Sequence, residues 1–311
     1  MRVLVTGADG FVGRHLVPRL LDRGDTVVAA CRPGGPPLPA HPAVTPIPLE
    51  LGDDRSVRAA LGCDPEAVVH LAAVASTREA REDPGAAWVV NAAGTARLAE
   101  AMAARRESGG PDARLLVVSS GEVYGPGGSA PRRESDPLQP ISAYAASKVG
   151  AEVAALEVWR RTGLSTIVAR PFTHTGPGQD PRFVLPAFVH RLRAARSSGQ
   201  REIPTGNLDP VRDVLDVRDV VRAYVGLLER GAPGEAYNIA RGEGCSLREL
   251  FARLAGLIGV AAEPVPSREL TRARDIPYLV GDTRKLREAT GWSPAVSLDA
   301  TLRGLVDAQA D

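Results

Sequence analysis

The stretch that decides the fold is Thr6–Leu16, which reads TGADGFVGRHL. It follows an apolar, strand-like run and leads into a helical pattern, and its glycines have the spacing G-x-x-G-x-x-G. Gly7 permits a tight turn, Gly10 lets the backbone approach a pyrophosphate, and Gly13 lets the helix pack closely against the strand. The start of the helix offers free N–H groups and a favourable dipole to the anion. The predicted cofactor-binding residues of this turn are Gly7, Gly10, Phe11, Val12 and Gly13.

Apolar runs alternate with helical patterns through the first half of the chain. The predicted buried strands are Arg2–Thr6, Thr26–Ala30, Ala67–Leu71, Arg114–Ser119, Ser165–Ala169 and Ala236–Ala240. Helical patterns lie between them, as at Gly10–Asp22 and Ala86–Ala104. Strands that alternate with helices predict an α/β fold with a doubly wound parallel sheet. Two Pro- and Gly-rich stretches, Arg32–Pro48 and Gly125–Pro140, are predicted to be surface loops because the rhythm of strands and helices resumes after them.

The regular pattern ends near Arg170, which predicts a second, smaller lobe. We predict that residues 1–170 and about 205–240 form a dinucleotide-binding domain of the Rossmann type. Residues of about 171–204 and 241–311 are predicted to form a substrate-binding lobe. The length of 311 residues is sufficient for both parts.

The composition excludes several classes of protein. A formal net charge of +1 gives no electrostatic reason to expect a nucleic-acid or membrane partner. Cys31, Cys63 and Cys245 share no short spacing, so we expect neither a zinc site nor a disulfide framework, and no metal is predicted. No signal peptide precedes the first strand and no apolar run is long enough to span a bilayer, so the expected location is the cytoplasm.

The end of the second strand indicates which nicotinamide cofactor the site takes. An NAD site usually places Asp or Glu there, where the carboxylate accepts hydrogen bonds from the ribose 2′-OH. Here residues 29–32 read AACR, without a carboxylate. The guanidinium of Arg32 can pair instead with a 2′-phosphate. The sequence therefore favours NADP(H) over NAD(H).

A second motif, YAASK at 144–148, carries the predicted chemistry. Tyr144 and Lys148 are one helical turn apart and share a face. The ammonium can lower the pKa of the phenol and hold the nicotinamide ribose, and such a phenol can exchange a proton with a carbonyl or an alcohol. An apolar strand that ends in Ser119 and Ser120 supplies the partner at the carboxyl edge of the sheet. The hydroxyl of Ser120 can polarise a substrate carbonyl there, although a serine in this place also commonly caps the backbone.

These motifs, together with HLAA at 70–73 and NAAGT at 91–95, resemble the extended short-chain dehydrogenase/reductase family in the same order over essentially the whole chain. The resemblance implies a catalytic triad of Ser120, Tyr144 and Lys148, and it implies a structural role for Asn91. It also implies further cofactor-groove residues, namely Glu50, Leu51, Leu71, Ala72 and Ala73. Glu50 is a departure, since the family often has Asp at that position.

The second half resembles GDP-4-keto-6-deoxy-D-mannose reductases, through RPFTHTGPGQ at 170–179, GNL at 206–208, VRD at 211–213 and GW at 291–292. The resemblance implies a nucleotide-sugar substrate, with a GDP-sugar favoured. Guanidinium groups can bind a diphosphate bidentately, and a nearby carboxylate can accept from ribose hydroxyls. The predicted substrate contacts are Ser120, Glu122, Thr173, Arg212, Arg272 and Asp275. Thr173 is a departure, since the family usually has Asn there.

Three other functions remain open beside a reductase. Glu122 occupies the position of the base in GDP-mannose-type 4,6-dehydratases, but the reductases also carry Glu nearby. Arg32–Pro48 lacks the basic character of the tetramer loop of those dehydratases, which favours the reductase. A 4-epimerase and a non-catalytic, NADP-sensing protein also remain open, and the retained triad disfavours the latter. The family's habit predicts a homodimer.

Overall fold

A seven-stranded parallel sheet forms the centre of the molecule, in a computed structural model that describes residues 1–271 and 274–308. Its strands lie in the order β3-β2-β1-β4-β5-β6-β11. They are β1 (Arg2–Thr6), β2 (Thr26–Cys31), β3 (Val44–Pro48), β4 (Ala67–His70), β5 (Arg114–Val118), β6 (Thr166–Pro171) and β11 (Ala236–Ile239). The predicted doubly wound α/β fold is therefore confirmed. The carboxyl ends of all seven strands lie at the same edge of the sheet. The strand order reverses between β1 and β4, and open sheets of this kind bind their ligands at such a point.

Helices cover both faces of this sheet. They are α1 (Phe11–Asp22), α2 (Asp54–Leu61), α3 (Thr77–Glu82), α4 (Pro84–Trp88), α5 (Gly94–Glu107), α6 (Ala143–Thr162), α8 (Val217–Arg230) and α10 (Arg284–Thr290). A π-helical turn over Val89–Ala93 joins α4 to α5, and a 3₁₀ turn over Gly121–Tyr124 follows β5. None of the helices among residues 1–271 and 274–308 is both long and apolar enough to cross a membrane.

The predicted loop over Arg32–Pro48 is wrong for its last five residues, which form the edge strand β3. This strand pairs in parallel with β2, from Val44 opposite Val27 to Pro48 opposite Cys31. Proline has no N–H to donate, so it is tolerated in a sheet only where one side of the strand needs no partner. Its prolines are typical of a loop and it has little of the usual apolar pattern, so the sequence did not predict this strand.

The remaining elements pack beside the carboxyl edge of the sheet. They are β7 (His174–Thr175), α7 (Val184–Ser198), β8 (Glu202–Thr205), β9 (Val211–Asp213), β10 (Leu215–Asp216), β12 (Gly244–Ser246), α9 (Leu247–Ile258), β13 (Glu263–Pro266), β14 (Tyr278–Leu279) and α11 (Leu298–Asp307). The apolar faces of α7, α9 and α11 form a cluster of their own around Phe188, Phe251 and Leu302. Leu286 and Trp292 pack instead in the cluster on the α1 and α8 face of the sheet. The division into two lobes stays a prediction.

Candidate active site

The glycine-rich turn between β1 and α1 lies against the turn after β4. Gly7 has a φ of +68°, and a Cβ built on it would lie 2.9 Å from the backbone of Ala72. A Cβ on Gly13 would lie 2.4 Å from the carbonyl oxygen of Ala8. Any side chain at either position would therefore push the turn away from its neighbours. The path of the backbone fits the close approach of a dinucleotide that the spacing predicts.

The amino end of α1 is suited to an anion. Gly10 precedes the helix, no side chain caps it, and its first turn has no acidic residue among the described residues. The N–H groups at Phe11, Val12 and Gly13 come before the first intrahelical bond, since Arg14 is the first to donate back, to Gly10. A pyrophosphate can accept from them. The residues present therefore fit the phosphates of a nicotinamide dinucleotide.

A buried hydrogen-bond chain fixes the facing turn. The N–H of Ala72 donates to Thr6 Oγ1 at 3.1 Å, and Thr6 Oγ1 lies 2.8 Å from His70 Nδ1. On the other side, His70 Nε2 lies 3.0 Å from Thr95 Oγ1, which donates to the carbonyl oxygen of Asn91. The Thr95 oxygen therefore accepts from Nε2–H, and Nδ1 accepts from Thr6. Burial, assisted by the charge of Lys148, lowers the pKa of His70 to about 3, so the ring stays neutral.

Ser120, Tyr144 and Lys148 come together at the carboxyl edge. Ser120 follows β5 and caps the 3₁₀ turn, accepting from the N–H of Glu122 at 3.1 Å. Tyr144 lies in the first turn of α6, which Ser142 caps, and its phenol is hydrogen-bonded to Ser120. Lys148 is buried one turn further on and donates to the carbonyl oxygen of Val118 at 2.8 Å. The strand and the helix thus deliver the three side chains to one place.

The electrostatics of these groups follow from their low-dielectric surroundings. Burial raises the pKa of Tyr144 above its usual range, the carboxylate of Glu122 raises it further, and the hydrogen bond from Ser120 opposes the rise. Burial lowers the pKa of Lys148 to about 8, and the carboxylate of Glu152 opposes that fall. In the protein alone, Tyr144 is therefore a protonated phenol, as a proton donor to a developing alkoxide must be.

Lysine is scarce in this chain. Of 38 basic residues only Lys148 and Lys285 are lysines, and all others are arginines. Arginine keeps its proton at any ordinary pH, whereas the pKa of a lysine shifts readily on burial. The retention of lysine at 148 is therefore a further signal for chemistry at this position, which the spacing of the motif alone does not provide.

Asn91 holds the catalytic helix against the turn after β4. It lies in the π-helical turn, and its side chain exchanges two hydrogen bonds with the backbone of Val74, at 2.8 and 3.1 Å. It also donates at 2.9 Å to Ser147 Oγ, which donates to the carbonyl oxygen of Tyr144. These contacts fit the structural role implied for Asn91.

The predicted adenosine contacts lie at the end of β2 and β3. Arg32 is exposed directly after β2. Glu50 is exposed, and its carboxylate accepts from the N–H of Gly52. Leu51 is buried against Gly94, because a Cβ built on Gly94 would lie 2.9 Å from the Cβ of Leu51. Leu71 and Ala73 flank Ala72 in the turn after β4 and are partly buried.

The sequence reasoning missed Asp9. Its carboxylate lies beside Cys31, whose pKa is raised mainly by burial and then by this charge. It also lies 2.4 Å from a Cβ built on Gly35. A carboxylate therefore reaches the end of β2 from the glycine-rich turn, although β2 itself provides none. Only its position inside that turn could have indicated this.

The described residues among the predicted substrate contacts of the second half lie at β7, on β9 and in the segment before β14. Arg212 donates from Nη2 to Asp275 Oδ1 at 2.7 Å and from Nη1 to the carbonyl oxygen of Ile276 at 2.7 Å. Thr173 is partly buried beyond Phe172, whose ring covers Gly121. The two predicted contacts Arg212 and Asp275 are thus brought together as an ion pair. Arg272 lies outside the described residues.

A parallel sheet of this order, a glycine-rich dinucleotide turn and a Ser–Tyr–Lys group at the carboxyl edge define a nicotinamide-dependent enzyme of the extended short-chain dehydrogenase/reductase type. The chain belongs to the NAD dependent epimerase/dehydratase family, whose model matches residues 3–240. It is 34% identical over 310 residues to GDP-6-deoxy-D-mannose reductase of Pseudomonas aeruginosa, covering 98% of this chain and 96% of that protein.

Solved structures agree with this assignment. The chain is similar to the structure of RMD from Pseudomonas aeruginosa complexed with NADPH, with a TM-score of 0.83 and 33% identity over 98% of this chain and 97% of that one. It is also similar to the UDP-glucose 4-epimerase of Thermus thermophilus complexed with NAD, with a TM-score of 0.86 and 32% identity over 99% and 98%. The chain is therefore an NAD(P)-dependent enzyme of nucleotide-sugar metabolism.

Proposed function

We propose that the protein reduces the 4-keto group of a GDP-4-keto-6-deoxy-hexose with NADPH, converting GDP-4-keto-6-deoxy-D-mannose to GDP-D-rhamnose. The observation that carries the chemistry is that Ser120 lies beside a Tyr144 phenol whose pKa is raised by burial, with the buried ammonium of Lys148 one helical turn away. The similarity to GDP-6-deoxy-D-mannose reductase over nearly the whole of both chains supports the choice of substrate.

The chain's own residues provide the proton and the alignment. When bound, NADPH supplies the hydride that reaches C4 of the sugar. Tyr144 donates its phenolic proton to the developing alkoxide at O4. Ser120, whose hydroxyl lies beside the Tyr144 phenol, donates to the same oxygen and holds it in place. The Lys148 ammonium stabilises the phenolate that remains, and it orients the ribose of the cofactor.

The preference for NADP(H) rests on Arg32. Its side chain follows β2 without any carboxylate on the strand itself, and a guanidinium is a strong partner for a 2′-phosphate. The carboxylate of Asp9 lies beside Cys31 at the end of the same strand. Its negative charge would repel a 2′-phosphate there and therefore disfavours NADP(H). We infer that Arg32 outweighs Asp9, since an exposed side chain can turn toward the phosphate.

The proposed preference for a GDP-sugar rests on Arg212 and Asp275. Arg212 is already oriented by Asp275 and Ile276, and its guanidinium can bind the diphosphate while Asp275 accepts from the ribose. Arg272 is the second proposed diphosphate contact, and Thr173 and Glu122 are the proposed sugar contacts. A binding screen of GDP-, dTDP- and UDP-sugars with NADPH present tests this preference. Tighter binding of a dTDP- or UDP-sugar would overturn it.

The second candidate function is a 4,6-dehydratase, which Glu122 favours. Its carboxylate lies near enough to raise the pKa of Tyr144 and could abstract the proton next to a keto group. The two reactions differ in cofactor balance, since a dehydratase or a 4-epimerase returns its cofactor unchanged. Purified protein is incubated with GDP-4-keto-6-deoxy-D-mannose and NADPH, and separately with GDP-mannose and NADP⁺. NADPH oxidation in the first tube supports the reductase, whereas a keto sugar in the second supports the dehydratase.

We propose that the protein forms a homodimer. Trp88 and Val153 are 46% and 60% exposed on the neighbouring helices α4 and α6. The ring of Trp88 covers Gly150 on α6, since a Cβ built on Gly150 would lie 2.7 Å from it. Val153 follows Gly150 by about one helical turn, so the exposed side chains of Trp88 and Val153 are neighbours. Val89, the residue after Trp88, is also exposed, and we propose that a second copy of the chain covers these apolar side chains. The cytoplasmic location stays a prediction.

A further inference from the structure

A buried ion pair lies behind the catalytic residues. Arg170 donates from Nη2 to Glu152 Oε2 at 2.7 Å and from Nε to Glu152 Oε1 at 3.0 Å. The side chains of Arg170 and Glu152 are only 7% and 3% exposed. Taking two such charges out of water costs much free energy, and replacing a pair of this kind by apolar side chains is often neutral or stabilising. Stability alone therefore gives no clear reason for the pair.

Glu152 joins the three elements that carry the site. It lies on α6, one turn after Lys148, and Arg170 reaches it from β6. Ser119 Oγ, at the end of β5, donates to Glu152 Oε1 at 2.5 Å. Ser119 directly precedes Ser120, so this hydrogen bond holds the backbone that presents the Ser120 hydroxyl.

Arg170 is itself fixed from behind. It donates from Nη1 to Tyr124 Oη at 2.9 Å, and Tyr124 Oη donates to Asn238 Oδ1 at 2.6 Å. Tyr124 and Asn238 are both buried. The carboxylate of Glu152 therefore cannot turn away from its place without breaking a chain of four hydrogen-bonded side chains.

The charges around Lys148 differ in sign. Glu152 lies on the same helix as Lys148, Tyr144 lies one turn before Lys148, and the carbonyl oxygen of Val118 on β5 accepts from the Lys148 ammonium. His70 on β4 interacts with the ammonium but is neutral, and Arg170 on β6 is a cation held by Glu152. The carboxylate of Glu152 opposes the lowering of the Lys148 pKa by burial, and Glu122 lies near Tyr144, on which its charge acts.

We propose that Glu152 is a positioning residue for the reaction: its carboxylate lies one helical turn from Lys148 and stabilises that ammonium, and through Ser119 it holds the backbone that presents Ser120 to the keto oxygen. The proposal rests on the proposed function only for the reaction it serves. The charge state of Lys148 itself can be measured without any substrate.

The test uses the scarcity of lysine. Protein labelled with ¹³C at Cε of lysine gives two signals, from Lys148 and Lys285, and Lys285 serves as the internal reference because it lies at the surface. In Glu152→Gln the titration midpoint of Lys148 falls by about one pH unit or more, because the anion is lost while Arg170 remains. In Arg170→Met the titration midpoint of Lys148 rises, because the charge of Glu152 is then no longer offset by the Arg170 guanidinium. Glu152→Asp keeps the charge and restores most of the wild-type midpoint.

The direction of the shift separates this role from a merely structural one. An ammonium loses its proton as the pH rises through its pKa. The alkaline limb of the pH profile of turnover therefore moves to lower pH in Glu152→Gln and to higher pH in Arg170→Met. If Glu152→Gln does not fold, Arg170→Met and Glu152→Asp still give the comparison. An unmoved Lys148 midpoint in the folded variants would overturn the proposal. A wild-type protein that shows the expected midpoints but reduces no keto sugar would contradict the proposed function instead.

Discussion

At the sheet, Ser120 and Lys148 are held by hydrogen bonds to backbone atoms, whereas Arg212 is held both by the side chain of Asp275 and by the carbonyl oxygens of Val211 and Ile276. The first group takes its place from strand β5 and helix α6, which a parallel sheet brings to one edge. The second group comes from segments that are 63 residues apart in the chain. We infer that the proposed chemistry depends on β5 and α6, whereas the proposed substrate contact depends on an ion pair between distant segments, which a change in either partner would alter.

The largest expected effect is on the sheet side. Tyr144→Phe removes the phenolic proton donor while leaving the packing of α6 intact, so kcat is expected to fall by about 10² to 10⁴-fold. Steady-state turnover measures the loss, and NADPH binding by fluorescence is expected to be unchanged. Turnover close to that of the wild type would remove Tyr144 from the chemistry.

The lobe side is expected to show its effect in KM. Arg212→Ala removes a charge-assisted contact of about 1.5–3 kcal/mol with the diphosphate, so KM for the nucleotide sugar rises by about 10 to 100-fold and kcat changes less. Arg248→Ala is the matched control, because Arg248 is exposed on the same lobe and pairs with Asp209. Equal KM values in both variants would mean that Arg212 only supports Asp275.

A smaller effect is expected at the adenosine end. Arg32→Ala lowers kcat/KM for NADPH by about tenfold and leaves that for NADH nearly unchanged, because only NADPH has a 2′-phosphate. Asp9→Asn is expected to act in the opposite direction by removing a negative charge at the end of β2. Arg58, an exposed arginine on α2, provides the control variant Arg58→Ala. A loss that is equal for both cofactors would exclude Arg32 as a phosphate contact.

The smallest effect on turnover is expected at the apolar face of α4 and α6. Val153→Arg places a charge among Trp88 and Val89, and the protein is expected to sediment as a monomer in analytical ultracentrifugation. Leu257→Arg, at another exposed apolar residue, is expected to leave the mass unchanged. A wild-type protein that already sediments as a monomer would refute the dimer.

The difference between the two sides also decides what the sequence could predict. Alternating apolar runs place β1, β2, β4, β5 and β6, and local spacing identifies Gly7 and the Tyr144–Lys148 pair, because these features depend on neighbours in the chain. The edge strand β3 was missed because its prolines resemble a loop. The pair of Arg212 with Asp275 and the pair of Glu152 with Arg170 depend on tertiary contacts, which no local pattern encodes.

We propose that C4 of a GDP-linked keto sugar receives a hydride from NADPH and that O4 receives a proton from Tyr144. The most direct test incubates the protein with GDP-4-keto-6-deoxy-D-mannose and NADPH deuterated at C4 of its nicotinamide ring. The account predicts one NADPH oxidised for each sugar reduced, with deuterium at C4 of the hexose by NMR. An altered sugar without deuterium at C4 and without loss of NADPH would contradict it.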